Sequence, residues 1–153
     1  MNTLCDLLST PQDVENIKKH LDENIENIKK DVYRNMNKYS ISTTPFGYER
    51  RCCFRNDDYE VLCLVWESSA ASPIHNHAEN GCVMKIMNGE LSEDLFEING
   101  KKISLIDSRT VSETSPSQYI NNTMGVHKIS NNSEKTTYSL HIYSPPYHKV
   151  TVY

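Results

Sequence analysis

The sequence lacks the features that mark several large classes of protein. It has no run of lysine or arginine, and its 16 basic and 20 acidic residues give a net charge of −4. Such a balance argues against a nucleic-acid partner. No apolar stretch approaches the roughly 20 residues that cross a bilayer, and the first residues lack the charged and apolar regions of a signal peptide. The five cysteines form no spaced framework, which favours free thiols in a reducing compartment. We therefore expect a cytoplasmic monomer with no membrane or nucleic-acid partner.

The first forty residues have the pattern of an amphipathic helix. Thr10-Pro11-Gln12-Asp13 resembles a helix start, with a capping hydroxyl and a proline at the first helical position. Apolar residues then recur every three or four positions as far as Met36. The pattern predicts two helices, or one that is interrupted near residues 21–24. At 153 residues the chain is most simply one domain (1–153), with a helical cap over residues 1–40.

From Pro45 onward the pattern changes to short strands that are separated by turn residues. The pairs Asn88-Gly89 and Asn99-Gly100 are typical of hairpin turns. Residues 61–66 are apolar on both faces, so this strand should be central and covered on both sides. Many short strands without intervening helices predict a mainly β protein, an antiparallel barrel over residues 45–153. The predicted strands are residues 48–54, 59–66, 75–77, 83–87, 91–98, 102–106, 119–122, 126–129, 136–143 and 148–153.

Two histidines, His75 and His77, lie two positions apart in a segment introduced by Pro73. On a strand, alternate side chains point the same way and are about 6.6 Å apart, so both imidazoles could reach one metal ion. His127 begins another short strand and could complete a face of three histidines. A metal held by three protein ligands keeps positions open, which is typical of catalytic sites.

The strand over residues 136–143 has two different faces. Thr137, Ser139, His141 and Tyr143 share one face, whereas Tyr138, Leu140 and Ile142 share the other. A polar inner face and an apolar outer face suit a wet barrel cavity that is covered outside by helices. His141 would then lie beside Tyr143 and orient its hydroxyl group.

The spacing of these residues resembles that of the cupin family. The first cupin motif has H-x-H, a glutamate after three or four residues, and a glycine after six more. His75, His77 and Gly89 match it, and the segment that begins at His127 resembles the second motif. Cys82 stands where a cupin usually has the glutamate ligand. The resemblance implies a small antiparallel jelly-roll barrel with an N-terminal helical cap.

Further motifs narrow the resemblance to the cysteine dioxygenase branch of the cupins, over residues from about 53 to 153. In that family three histidines hold Fe(II), an arginine binds the substrate carboxylate, and a tyrosine lies beside the iron. The motif cysteine can be joined covalently to that tyrosine. The motifs in this chain are Phe54-Arg55-Asn56, Gly125-Val126-His127 and His141-Ile142-Tyr143-Ser144-Pro145-Pro146.

The resemblance assigns roles residue by residue. His75, His77 and His127 would hold the metal, and Arg55 and Tyr143 would bind the substrate. Cys82 and Tyr143 would form the cross-link. Together with His141, which the alternation of its strand places beside Tyr143, they are the expected catalytic residues. Arg50 and Arg51 lie close enough to Arg55 that a shift in register would move the carboxylate-binding role to another arginine.

The implied function is Fe(II)-dependent oxidation of L-cysteine by O2 to cysteine sulfinic acid, a step of cysteine catabolism. Two other interpretations stay open. One is a related dioxygenase that acts on 3-mercaptopropionate or another small thiol, which Arg55 and Cys82 both oppose. The other is a cupin that binds metal without catalysis. His20 and His148 are expected at the surface.

Overall fold

A computed structural model of the chain describes residues 2–153. The elements, in chain order, are α1 (Asn2–Leu8), α2 (Val14–Arg34), a 3-10 turn (Met36–Lys38), β1 (Ser40–Thr43), β2 (Tyr48–Arg55), β3 (Glu60–Trp66), β4 (Cys82–Asn88), β5 (Glu90–Asn99), β6 (Lys102–Ser112), β7 (Gln118–Ile120), β8 (Val126–Ser130) and β9 (Thr137–Tyr143).

The long helix α2 is continuous across residues 21–24, so the predicted interruption at that place is wrong. The break lies instead between α1 and α2, at residues 9–13. Asp13 caps α2, since its Oδ1 accepts a hydrogen bond of 2.7 Å from the backbone N–H of Asn16. The predicted start at Thr10 is therefore three residues early. Pro11 lies in the connecting loop, and a helix that starts after an aspartate cap needs no proline at its first position.

Within the described residues, nine strands form two antiparallel sheets. The larger sheet has the order β1-β2-β3-β9-β4-β7, and the smaller has the order β6-β5-β8. Two isolated bridges, Ala71 with Ser130 and His75 with His127, join the segment before β4 to the smaller sheet. The mainly β architecture with an N-terminal helical cap confirms the predicted fold class.

Two hydrophobic cores lie on opposite faces of the larger sheet. One core is shared with the helices and contains Val61, Cys63, Leu140 and Ile142 from the sheet. The other lies between the sheets and contains alternate residues of β3, with contributions from the smaller sheet. Strand β3 is thus covered on both sides, as predicted. Strand β9 also has the predicted faces, because its apolar residues meet the helices and its polar ones are buried on the inner side.

Two predicted strands are not regular strands. The segment that carries His75 and His77 has only isolated bridges. Pro73, which has no N–H group, and a turn at Glu79-Asn80 leave it too short for a ladder. The C-terminal segment likewise forms one bridge, from Val152 to His75. Conversely, the structure contains one strand, β1, that was not predicted. Strand β6 is also longer than predicted, since it extends to Ser112 and not only to residue 106.

No helix formed by residues 2–153 combines the length and the apolar character needed to span a bilayer.

Candidate active site

Reciprocal backbone hydrogen bonds fix the first histidine opposite the third. The N–H of His75 donates to the carbonyl of His127 at 2.9 Å, and the N–H of His127 donates back at 3.1 Å. On its other side His75 bridges to Val152. His75 is therefore held between β8 and the C-terminal segment, although it lies in no regular strand.

The three predicted histidines come together. The ring centre of His127 is 4.5 Å from that of His75 and 4.3 Å from that of His77. The rings of His75 and His77 are 6.2 Å apart, close to the spacing of alternate residues on an extended chain. His127 therefore lies between the other two rings and brings all three to one place.

Hydrogen bonds indicate which ring nitrogen of His75 and of His127 carries the proton. The Nδ1 of His75 lies 2.8 Å from the carbonyl of Pro73, and the Nδ1 of His127 lies 2.8 Å from Oε2 of Glu93. Both partners are acceptors, so each Nδ1 is the donor and each Nε2 of a neutral ring has a lone pair. These two Nε2 atoms are 3.1 Å apart. Lone pairs that face each other at this distance need a proton or a cation between them.

The Nδ1 of His77 also faces an oxygen acceptor. This acceptor belongs to a side chain that the sequence did not reveal as part of the site. Oδ1 of Asn122 accepts a hydrogen bond from the backbone N–H of His77 at 2.8 Å and lies 3.2 Å from its Nδ1. The Nε2 of His77 is buried and has no hydrogen-bond partner in the described chain. Leaving a buried polar atom unpaired is costly, which is an indication that something else binds there.

Burial keeps His75 and His77 neutral. It is the largest cause that lowers the pKa of His75 to about 4 and the pKa of His77 to about 3, and the charge of His127 adds to both. Both rings are therefore deprotonated at pH 7, the form in which imidazole binds metal.

Glu93 is a second residue of the site that the sequence analysis missed. Its carboxylate accepts a hydrogen bond from His127 and one of 2.7 Å from Nε of Arg109. Burial raises the pKa of Glu93, but the hydrogen bond and charge of His127, together with Arg109, outweigh it and lower the pKa to about 2. A carboxylate that accepts from Nδ1 fixes the ring of a metal-binding histidine and increases its basicity. The alternation of β5 could have revealed Glu93, because this residue shares the inner face of the strand with buried Leu91.

The donor set fits a divalent transition metal. Within residues 2–153, no group of three or more His, Cys, Asp or Glu side chains is arranged so that it could hold a metal ion as it stands. The three histidines nevertheless offer lone pairs on Nε2, and the Nδ1 atoms are all engaged by oxygen acceptors. Imidazole nitrogen is a ligand that suits zinc, copper, iron and nickel.

The three histidines line a cavity of about 110 Å³ between the two sheets. Its wall also contains the predicted residues Cys82, His141 and Tyr143. Arg55 does not line this cavity and lies instead in an adjoining one of about 280 Å³. The side chains common to both cavities are Arg50, Glu60 and His148.

Cys82 and Tyr143 face each other across the pair β4–β9. They are register partners in this antiparallel pair, which brings their side chains onto one face. The Sγ of Cys82 is 3.7 Å from the carbonyl oxygen of Val83 and 3.8 Å from Nδ1 of His141. Burial raises the pKa of both the Cys82 thiol and the Tyr143 hydroxyl, so both are protonated at neutral pH.

A chain of hydrogen bonds orients His141 toward Tyr143. Nε1 of Trp66 donates to Oγ of Ser139 at 2.9 Å, and this hydroxyl lies 2.7 Å from Nε2 of His141. The Ser139 hydroxyl accepts from Trp66 and has its own proton available for Nε2, and in this arrangement the proton of His141 is on Nδ1. That Nδ1 lies 3.3 Å from the oxygen of Tyr143. The hydroxyl proton of Tyr143 is then free to point into the cavity.

Arg55 reaches the inner face of β2 because of a bulge. The register with β3 shifts between Cys52 and Phe54, and the extra residue turns Arg55 inward where strict alternation would turn it outward. Its Nε donates to Oε2 of buried Glu60 at 2.6 Å, and its guanidinium stacks 4.2 Å from the ring centre of Tyr147. The structure thus pairs Arg55 with an acid beside the cavity rather than leaving it free.

His148 was expected at the surface, and this prediction is wrong. The side chain is half-buried, lines the cavity, and places Nε2 3.2 Å from Oδ1 of Asn76. The prediction failed because the C-terminal segment, which was expected to be a closing strand, lies against the cavity, where Val150 and Val152 also line the wall.

Comparisons with known proteins bear on both the fold and the family. A family model for cysteine dioxygenase type I matches residues 12–153. Cysteine dioxygenase type 1 of Rattus norvegicus is 34% identical over 96 residues, which are 60% of this chain and 48% of the rat protein. The Homo sapiens protein is 34% identical over 95 residues, with the same two coverages of 60% and 48%. An RmlC-like cupin from Shewanella frigidimarina has a TM-score of 0.55 at 14% identity, covering 73% of this chain and 88% of the other.

The two antiparallel sheets, the histidine cluster between them and the structural likeness define a cupin. The family match extends over most of the sequence, and the chain belongs to the cysteine dioxygenase type I family. The chain spans about half the length of the curated relatives it matches.

The buried state of His141 predicts how stability depends on pH. Burial, with smaller effects of nearby charges, lowers the pKa of His141 to about 3, whereas the pKa in the unfolded chain is about 6.5. Below pH 6.5 the unfolded state binds the extra proton and the folded state does not, so stability falls as pH falls. Between pH 7 and pH 5, the metal-free protein should lose about 2 kcal/mol more unfolding free energy than His141→Gln. Urea unfolding at both pH values measures this, and equal losses in the two proteins would contradict a neutral, buried His141.

Proposed function

We propose that the protein is an Fe(II)-dependent thiol dioxygenase that oxidises L-cysteine with O2 to cysteine sulfinic acid. The observation that carries this proposal is the convergence of three imidazoles on a cavity that also contains Cys82 and Tyr143. Membership of the cysteine dioxygenase type I family supports it. In the overall reaction both oxygen atoms of O2 are added to the thiol sulfur.

His75, His77 and His127 would hold the metal through Nε2. Iron(II) bound there supplies a site at which a thiolate and dioxygen react. Because three imidazoles bring no negative charge, the ligand set favours a substrate that is itself an anion. Glu93 fixes the orientation of the His127 ring through its Oε2 atom. The negative charge of Glu93 is neutralised by Arg109, which binds the other carboxylate oxygen.

Tyr143 is the proposed hydrogen-bond donor to the bound substrate. His141 donates Nδ1–H to the phenol oxygen and so directs the hydroxyl proton toward the cavity. Because the pKa of Tyr143 is raised by burial, the phenol keeps this proton at neutral pH. It can therefore stabilise negative charge that develops on oxygen during the reaction.

The carboxylate of the substrate needs a positive partner. The family resemblance assigns this role to Arg55, and the structure adds Arg50, which lines the cavity. For the protein as a whole we expect a monomer in the cytoplasm that works without nucleic acid or membrane.

The substrate prediction can be tested by oxygen consumption. Iron-loaded protein should consume O2 with L-cysteine and form cysteine sulfinic acid, identified by mass spectrometry. With 3-mercaptopropionate, which lacks the amine, kcat/KM should be at least about tenfold lower, because one hydrogen bond or ligand is lost. Equal rates with the two thiols would contradict the cysteine assignment. No turnover with any small thiol would favour a binding protein.

The ligand set can be tested by iron content. His127→Ala should remove iron binding, since it deletes the ring that lies between the other two. His20→Ala is the matched control, because His20 is on α2 and does not line the cavity. Iron per chain is measured after loading and desalting. A full equivalent of iron in His127→Ala would remove this residue from the ligand set.

The facing pair Cys82 and Tyr143 predicts a thioether cross-link that forms during turnover. The sulfur bonds to a ring carbon next to the hydroxyl, both groups lose one hydrogen, and O2 accepts the two electrons. Intact-mass measurement after turnover should show a fraction of chains lighter by two hydrogen atoms. Cys82→Ser should show no such loss. An unchanged mass in the wild type after many turnovers would mean that the pair stays unlinked.

A further inference from the structure

We propose that the C-terminal segment, residues 147–153, is a lid over the histidine cavity and that the side chain of Asn76 fastens it. Asn76 lies between His75 and His77, two of the proposed metal ligands, so the fastening residue belongs to the same short segment as the site. This inference goes beyond the proposed function, because it concerns the access of any metal ion or small molecule to the cavity.

The lid forms the part of the cavity wall that faces solvent. His148, Val150 and Val152 line the cavity from the lid. Val150 and Val152 are nevertheless 47% and 56% exposed, so a single layer of chain separates the cavity from solvent at this place. Among the other residues of the described wall, Phe46 alone is comparably exposed, at 43%. The solvent-accessible side of the cavity is therefore made by the lid and Phe46.

Asn76 is the main point at which the lid is attached. In the described part of the chain four hydrogen bonds connect the lid to other segments, and Asn76 takes part in three of them. Its Oδ1 accepts from the backbone N–H of Thr151 at 2.7 Å and lies 3.2 Å from Nε2 of His148. Its backbone N–H donates to the carbonyl of Thr151 at 3.1 Å. The fourth bond joins the N–H of Tyr153 to the carbonyl of Ile74 at 2.9 Å.

The lid has little packing that would resist its opening. None of its described side chains belongs to either hydrophobic core. It forms no regular strand and makes one isolated bridge, from Val152 to His75. Local opening is easiest where buried apolar contacts are few and the backbone hydrogen bonds are exposed. The lid can therefore open while both sheets stay folded.

The lid begins at a residue with an unfavourable backbone conformation. Tyr147 has a φ of +62°, a left-handed conformation that a residue with a Cβ atom seldom adopts. Its ring is stacked 4.2 Å from the guanidinium of Arg55. Because a rotation at Tyr147 would relieve the unfavourable φ, this residue favours opening, and the hydrogen bonds of Asn76 oppose it.

The histidines need such an opening in the wall. His77 is only 3% exposed and His127 only 7%, so a metal ion or a substrate must pass the wall to reach them. A lid that opens for entry and closes afterwards admits the ligand and then excludes water from the reacting groups. Asn76 is in this sense a positioning residue, since it acts through the lid and not on the ligand.

Chemical modification of histidine measures how often the lid is open. In the metal-free protein diethyl pyrocarbonate acylates neutral imidazole, and its rate at His77 follows the open fraction when opening is rare and fast. Asn76→Ala removes the Oδ1 acceptor, and Thr151→Pro removes the N–H donor but keeps the carbonyl. Each should raise the rate at His77 about fivefold, the shift expected for the loss of one net hydrogen bond. Peptide mass mapping gives the rate at each histidine, with His20 on α2 as the internal reference.

Three further variants serve as controls. Asn76→Asp keeps an oxygen acceptor and should react within about twofold of the wild type. Asn132→Ala removes an asparagine side chain that bonds to Ser92, and neither of these residues lines the cavity. It should leave the rate at His77 unchanged. Asn76→Ala combined with Thr151→Pro should exceed Asn76→Ala by less than about twofold, because both changes remove the same bond.

Three results of the modification experiment would overturn the proposal. One is an unchanged rate at His77 in both Asn76→Ala and Thr151→Pro. Another is an equal rise at His20, which would mean that the whole fold is loosened. The third is a wild-type rate at His77 as high as that at half-buried His148, which would mean that the cavity is open without any movement of the lid.

Iron exchange distinguishes an opened lid from damaged ligands. In Asn76→Ala the rates of Fe(II) uptake and release should rise together. The dissociation constant should stay within about twofold, because an opening step that precedes both processes cancels in their ratio. Faster release alone would mean that Asn76 supports the ligands and not the lid, and it would overturn the proposal. Neither measurement needs turnover, so a protein that oxidises no thiol would contradict the proposed function and leave the test of the lid intact.

Discussion

The reciprocal backbone hydrogen bonds between His75 and His127 are the constraint on which the site depends. They join a segment that leads into the larger sheet to β8 of the smaller one. Side chains directly opposite each other in such a pair lie close together. One pair of hydrogen bonds thus connects the two sheets and brings two of the three imidazoles into contact. His77 then reaches the same place because it lies two residues further along an extended chain.

The connection between the two sheets also determines which side chains line the cavity between them. The polar face of β9 turns toward the cavity because its apolar face is held by the helices, through Leu140 and Ile142. Burying polar groups is affordable only when each has a partner. Ser139, His141 and Tyr143 meet this requirement by bonding to one another and to Trp66. Among the described residues two buried side-chain nitrogens have no partner, Nε2 of His20 on α2 and Nε2 of His77. Only His77 lines the cavity, so its Nε2 is the best structural indication that a ligand binds there.

Sequence patterns predicted the parts of the structure that depend on simple periodicity. The two faces of β9 and the buried β3 follow from alternation, and the histidine cluster follows from spacing. The patterns failed where one residue changes the periodicity or where a partner is distant in sequence. The bulge at residues 52–54 reverses the side of Arg55, and no local signal announces it. Arg109 gains its role when β6 pairs with β5, and Asn122 gains its role when the residues after β7 reach the segment of His77. Their pairing with Glu93 and His77 could therefore not be predicted from the sequence.

The distribution of charge in the site explains why one arginine differs from the rest. Each buried acid near the cavity is neutralised by an arginine, Glu93 by Arg109 and Glu60 by Arg55. The histidines with lowered pKa are neutral, and Cys82 and Tyr143 keep their protons. In the described wall this leaves Arg50 as a charge with no fixed counterion. A low-dielectric cavity with one unmatched positive charge in its wall favours a small anion over a neutral molecule or a cation, because the wall can offset the desolvation of an anion.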